Sequence, residues 1–229
     1  IADGEEINVV VPTGNFGNIL AAYYAKQMGV PIAKLVCASN ENKVLFDFFQ
    51  TGTYDKNREF VLTSSPSMDI LISSNLERLI YLIAGEDSVK TKELMEALSG
   101  SGSYTITEEM RAKLADFAAG YASEDETAGQ IRAVCEKTGY VMDTHTAVAS
   151  YVCGQYRSKT EDQRKCVVAS TASPYKFVKS VMTAIDEKYV PADEFELLKE
   201  LQDTSGIAMP HAIEEILHAK ILHTLECDS

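Results

Sequence analysis

The chain has 229 residues, 45% of them apolar and 24% charged, and its 34 acidic against 21 basic side chains give a formal net charge of −13. That is the profile of a soluble globular protein, and its sign disfavours nucleic acid and anionic membranes as partners. Five cysteines without a C-x-x-C pair and four histidines away from them at ligand spacing argue against a disulfide framework and against a metal site, so a reducing cytoplasm is the expected compartment.

No run reaches membrane-spanning length, and the acidic opening Asp3-Gly4-Glu5-Glu6 is not a signal peptide. The chain starts on Ile1 and enters a strand pattern almost at once, which leads us to expect a piece of a longer protein. Ile7 to Val11 is a β-branched run bounded by Pro12 and reads as a buried strand. A Gly/Asn turn, Gly14 to Asn18, precedes a helix over Ile19 to Met28 that stops at Gly29-Val30-Pro31. Ile32 to Ala38 reads as a second strand and Asn42 to Phe49 as a short helix closed by Gly52, so the unit is βαβ and its sheet parallel.

Ile72, Leu76, Leu79, Ile80 and Ile83 fall at helical spacing. Val89 to Leu98, Thr107 to Ala119 and Glu126 to Lys137 are expected helices too, which makes 85–140 a helical layer or insertion. Cys166 to Ala169 returns to the sheet pattern, with Pro174 able to open a helix. Pro191 to His223 reads as two amphipathic helices broken at Gly206 and Pro210.

Two places share one design, an apolar strand followed by a polar turn and a helix: residues 9–18 and 167–174. In a parallel sheet both turns lie at the C-terminal strand ends, where open α/β sheets bind ligands. In the first, Gly14 and Gly17 permit unusual backbone angles, consecutive N–H groups can converge on an anion, and the following helix adds its positive end. The turn is neither a Walker loop nor a dinucleotide fingerprint, and by spacing alone an ordinary strand-to-helix turn explains it equally well. Thr171, directly after a buried strand, reads on residues alone as a helix N-cap.

Pro12-Thr13-Gly14-Asn15-Phe16-Gly17-Asn18 closely resembles the cofactor-phosphate loop of threonine synthases. Further blocks follow in family order: Ser67-Met68-Asp69-Ile70 with Ser73-Ser74-Asn75-Leu76-Glu77-Arg78, then Asp143-Thr144-His145-Thr146-Ala147, then Ser170 to Phe177 (STASPYKF). The resemblance implies an α/β fold with a parallel or mixed twisted sheet and flanking helices, part of a fold type II pyridoxal-phosphate enzyme, with a mostly helical middle region. It implies one cofactor-binding region over 1–229: a phosphate-loop unit at 1–84, the helical layer at 85–140, a return to the sheet with the ring-nitrogen loop at 141–190, and C-terminal helices at 191–229. The implied reaction turns O-phospho-L-homoserine and water into L-threonine and phosphate.

Carried over by position, Gly14, Asn15, Phe16, Gly17 and Asn18 would cradle the phosphate of pyridoxal 5′-phosphate, and Thr171 would hydrogen-bond the pyridine nitrogen. Asn75 and Arg78 are candidates for the substrate's phosphate, with a solvated helix face as the alternative. His145 is expected to be a hydrogen-bonded structural histidine more than part of the active-site mouth, and Asp69 an N-cap. The sequence departs from the family pattern at Thr144 (usually proline), Ser173 (usually histidine) and Tyr175 (usually small).

The family's Schiff-base lysine lies in a Phe-Lys-Asp setting ahead of the phosphate loop, and no lysine precedes that loop here. Lys176 belongs to a block the family places after the cofactor and is not assigned the role. The expectation is therefore a C-terminal portion that is inactive alone and partners the N-terminal half of the same enzyme. Another fold type II amino-acid lyase, a dehydratase or cysteate synthase-like enzyme, and a non-catalytic cofactor- or phosphate-binding domain are the alternatives.

Overall fold

A computed structural model describes residues 1–220 and 222. The expected first unit is there: β1 (Ile7–Pro12), α1 (Gly17–Gln27) and β2 (Ile32–Ser39), with the two strands parallel and Val10 opposite Val36. α2 (Val44–Thr51) ends at Gly52, whose φ of 77° is the left-handed angle that terminates helices cheaply. β3 (Thr53–Asp55) pairs antiparallel with β4 (Ser103–Thr105), and α3 (Leu76–Ile83) and α4 (Ser88–Gly100) lie between them in the chain. Then come α5 (Glu108–Ala112), β5 (Phe117–Tyr121), α6 (Glu124–Thr138), α7 (Thr144–Thr160), β6 (Lys165–Val168), a 3-10 turn at Pro174–Phe177, α8 (Val178–Ile185), a second such turn at Glu187–Tyr189, α9 (Glu194–Ser205) and α10 (His211–His218).

The main sheet runs β5-β2-β1-β6, all parallel. Its two central strands are buried on both faces, as their unbroken apolar runs require; Val10, Leu35, Val36 and Cys37 are fully buried. Burial pushes the Cys37 thiol up to about 12, so it behaves as a small hydrophobe. β1 and β6 are neighbours, with Val10 opposite Val168, so the two turns seen in the sequence do face one crevice. Among the described residues no helix is long and apolar enough to cross a membrane.

Three expectations are corrected. Residues 107–119 are not one helix. α5 covers five residues, and the alanine-rich stretch after it becomes β5, because its backbone pairs with the open edge of β2 from Leu35 to Ser39. That tertiary hydrogen bonding outweighs the helix preference of alanine. A Cβ on Gly120 would lie 2.7 Å from Val152 on α7, so the residue is glycine where helix and strand touch. Ile72 does not join the α3 stripe: it precedes the helix and is half exposed, while Leu76, Leu79, Ile80 and Ile83 are buried. Asp69 caps no helix; its carboxylate accepts from Asn40 Nδ2 (2.7 Å), Asn42 Nδ2 (2.9 Å), Thr63 N (2.8 Å) and Thr63 Oγ1 (2.7 Å), which ties the 63–69 loop to the end of β2.

α9 and α10 are the expected tail helices, broken at Gly206 (φ 67°) and Pro210; the expected end at His223 lies outside the described residues.

Asp162 fastens β1 to the turn before β6. It accepts from the Arg164 backbone N–H (2.9 Å), Asn8 Nδ2 (3.0 Å) and the Tyr156 hydroxyl (3.1 Å), and these bonds, the Arg164 one most of all, hold its carboxyl down at about 2. A carboxyl depressed in the folded state contributes stability above its unfolded pKa of about 3.9 and loses it as pH falls toward the folded value. Asp162→Asn is expected to flatten the fall in urea midpoint between about pH 5 and pH 2; an unchanged acid limb would reject this assignment.

Candidate functional site

At the C-terminal end of β1 the chain turns through Thr13–Phe16 into α1. Among the described residues no acceptor engages the backbone N–H of any residue from Gly14 to Ile19. The first-turn amides of a helix have no partner within it, α1 has no acidic residue there, and Phe16 at the N-cap position makes no side-chain cap. The result is a run of free donors at the positive end of a helix dipole, which suits an anion.

The left-handed angle falls at neither glycine expected to carry it. Phe16 takes it, with φ at 64°, an unfavourable choice for a residue with a Cβ. The fully buried ring anchors it, 6.1 Å from Phe49 and 6.0 Å from Phe117 between centroids. Gly14 is needed for space: a Cβ there would sit 2.9 Å from the Ser67 carbonyl oxygen and 3.0 Å from Met68 Cα. Gly17 is freer, its nearest atom being Asn75 Nδ2 at 3.5 Å.

The loop floors a cavity of about 270 Å³ whose other walls include Ser67, Met68, His145, Thr171, Ala172 and Lys176. The two loops singled out in the sequence therefore meet. Ser173, not Thr171, caps the Pro174–Phe177 turn, taking the Tyr175 N–H at 3.3 Å. Among the described residues no hydrogen bond engages the Thr171 hydroxyl, which leaves it available to the cavity. Tyr175, where the family has a small residue, is buried and donates to the Ile207 carbonyl at 2.5 Å, fastening the chain beyond α9.

His145 has both of the expected roles. It lines the cavity, and it is structural: its Nε2 accepts from Ser67 N at 3.2 Å, which puts the proton on Nδ1, 3.2 Å from Asp143 Oδ1. Asp143 N-caps α7 through His145 N (2.9 Å) and Thr146 N (3.2 Å) and also receives the Thr146 hydroxyl. Burial pushes this carboxyl up, but the hydrogen bonds from His145 and Thr146 outweigh it and hold it below the usual carboxylate range. Thr144 stands at the first helical position, where the family's proline would fit equally well.

Asn75 and Arg78 do not line this cavity. Asn75 sits behind the loop, and Arg78 borders a separate groove of about 690 Å³ with Tyr24 and Tyr81. Sequence reasoning passed over Lys176, the one lysine or arginine among the described residues that line the cavity. Its block was in view; what no spacing showed was that the turn at Pro174 folds back over the loop. Lys26, the nearest basic residue in sequence, is engaged elsewhere, with Asp116 at 3.2 Å and the Ile32 carbonyl at 2.5 Å.

Residues 146–217 match the family model described as threonine synthase, C-terminal. The chain is 44% identical over 192 residues to threonine synthase-like 1 of Homo sapiens, covering 83% of this chain and 25% of that protein. Among solved structures it is similar to the PLP-bound threonine synthase from Brucella melitensis (41% identity, TM-score 0.76, 80% of this chain and 39% of that one). The yeast threonine synthase structure superposes with a TM-score of 0.79 at 31% identity, over 94% of this chain and 43% of that one. The chain thus spans between a quarter and somewhat under half the length of these relatives. With an α/β parallel sheet and helices on its flanks, the chain has the fold of these threonine synthase structures, which are of fold type II, and residues 146–217 match the C-terminal domain of that family.

Proposed function

We propose that this chain supplies the cofactor-phosphate side of a threonine synthase active site, in a parent enzyme that converts O-phospho-L-homoserine and water to L-threonine and phosphate. The observation that carries the reading is the run of unengaged amides from Gly14 to Ile19 at the start of α1, closed in by Gly14's contact with Ser67 and Met68. These residues fit a phosphomonoester: Gly14, Asn15, Phe16, Gly17 and Asn18 hold its oxygens through backbone N–H groups, as a dianion at a helix N-terminus requires. Bound there, pyridoxal 5′-phosphate supplies an electron sink for carbanions at the amino-acid substrate. Thr171, across the cavity, meets the pyridine nitrogen with a neutral hydroxyl, which does not force that nitrogen to stay protonated. His145 and Asp143 keep the Ser67 wall in place. Asn75 and Arg78 serve the site from behind the loop, a role their positions favour over direct contact with substrate phosphate.

The Schiff-base lysine would come from the N-terminal half of the same enzyme, the proposed partner of this chain, in line with the chain spanning only 25–43% of its relatives' length. Without that lysine, and with Lys176 in a block the family places after the cofactor, this chain alone is expected to make no threonine. A second reading is a relative that keeps the cradle but acts on another amino acid or on none; the 44% identity to a protein named threonine synthase-like 1 favours it. Phosphate release from O-phosphohomoserine by the full-length parent, with and without added cofactor, decides between them. Cofactor-dependent release with threonine as product is expected; a folded, cofactor-loaded parent that releases none overturns the reaction.

A further inference from the structure

We infer that Ser73 and Asn75 are positioning residues that aim the phosphate loop by holding its carbonyls away from the ligand. The inference rests on the cofactor-phosphate reading of the loop. Ser73 Oγ donates to the Gly14 carbonyl at 2.7 Å, and Asn75 donates to the Asn15 carbonyl twice, from Nδ2 at 2.8 Å and from its backbone N–H at 3.1 Å. In a trans peptide the carbonyl of one residue points opposite to the N–H of the next. Fixing the Gly14 carbonyl therefore directs the Asn15 N–H, and fixing the Asn15 carbonyl directs the Phe16 N–H. Neither Ser73 nor Asn75 lines the cavity, whereas Gly14, Asn15 and Phe16 do, so both amides are turned toward it.

The support reaches further back. The Tyr54 hydroxyl donates to the Leu71 carbonyl (3.0 Å) and accepts from Ser73 N (2.8 Å), while its ring stacks on Tyr104 at 5.5 Å, so Ser73 is braced from the small sheet. Arg78 donates to Asn75 Oδ1 at 2.7 Å. A guanidinium has no acceptor, so it can meet only the oxygen of that amide and leaves Nδ2 for the Asn15 carbonyl. Arg78 thus selects the orientation of Asn75, and a flipped amide would set two oxygens against each other. The two tied peptides flank Asn15 and so fix its backbone angles, while the left-handed angle of the next residue, Phe16, is held by its buried ring.

The test titrates inorganic phosphate into this chain and into Ser73→Ala, Asn75→Asp and Arg78→Met, following the amide resonances of Asn15, Phe16 and Gly17, with thermal unfolding as the check on folding. Ser73→Ala and Asn75→Asp are each expected to weaken phosphate binding by about tenfold and to shift the Asn15 and Phe16 amides before any phosphate is added; Arg78→Met is expected to act in the same direction by about threefold, since only an orientation is freed. Failure of the unmodified chain to bind phosphate at these amides overturns the cofactor-phosphate reading and this inference with it. Binding by the unmodified chain with equal binding by folded variants overturns the positioning role alone. So does weakened binding in variants whose free Asn15 and Phe16 amides have not moved. Asn75 flanks a helix; if Asn75→Asp does not fold, Ser73→Ala and Arg78→Met still decide between these outcomes.

Discussion

Gly14→Ala is expected to abolish most anion binding at the loop, lowering affinity for pyridoxal 5′-phosphate and for inorganic phosphate by about 30-fold or more. The added Cβ would meet the Ser67 carbonyl oxygen at 2.9 Å and Met68 Cα at 3.0 Å. Both are backbone atoms, held by the Asp69 hub on one side and by His145 on Ser67 N on the other, so neither can swing aside as a side-chain tip would. The loop has to retreat instead, and one or two charge-assisted bonds to the phosphate are lost at ~1.5–3 kcal/mol each; at about 1.4 kcal/mol per factor of ten this gives the expected loss. Gly17→Ala is the control, because its Cβ would only reach ordinary contact with Asn75 Nδ2 at 3.5 Å. Isothermal titration of both variants checks the pair, and a Gly14→Ala chain that binds as well as Gly17→Ala would refute the steric account.

The second large effect is on stability. Asp143→Ala is expected to cost about 3 kcal/mol, roughly 1 for the lost N-cap of α7 and 1–3 for the His145 and Thr146 donors left buried without an acceptor. For a chain of this size that corresponds to a fall in Tm of roughly 6–12 °C. Asp143→Asn keeps an acceptor and should cost less. The pH dependence has a definite sign. The folded carboxyl lies below the usual range, so its contribution is complete above the unfolded pKa of about 3.9 and is lost as pH falls through the lower folded value. Asp143→Asn should therefore remove part of the acid limb of stability while leaving the slope above about pH 5 unchanged. Melting curves across that range test it; identical acid limbs would show that Asp143 does not titrate with folding.

The phosphate loop was legible because its chemistry is local. A β-branched run, a turn with two glycines and a helix start are consecutive in the chain, which made the turn a candidate; by spacing alone an ordinary strand-to-helix turn fitted equally well, and the resemblance of the ordered blocks favoured the cradle. The detail was not legible. Left-handed geometry at Phe16 is tolerable only because Phe49 and Phe117 grip its ring, and neither is near it in sequence. Thr171 could not be separated from an N-cap until Ser173 was seen to take that place. Asn75 was in view as a candidate for the substrate's phosphate and Ser73 only as part of its block, since spacing does not tell which carbonyl a side chain will meet.

Composition, the apolar runs of β1 and β2, the Gly-Pro stops and the ordered family blocks determined, from the amino-acid order alone, the fold class and the parallel βαβ unit, and singled out the turn proposed as the cradle. Each of these depends on neighbours within a turn or a strand, where local sterics and the boundary with solvent leave a period to read. α7 left no such period: Asp143 through Ala149 are buried on every side, so no polar face marks the start of the helix. β5 was hidden for the converse reason, its alanines suiting a helix until β2 offered an edge to pair with. Only the tertiary structure decided these, along with the ties that aim the loop, because a hydrogen bond between residues 59 or 60 positions apart depends on how the chain is packed.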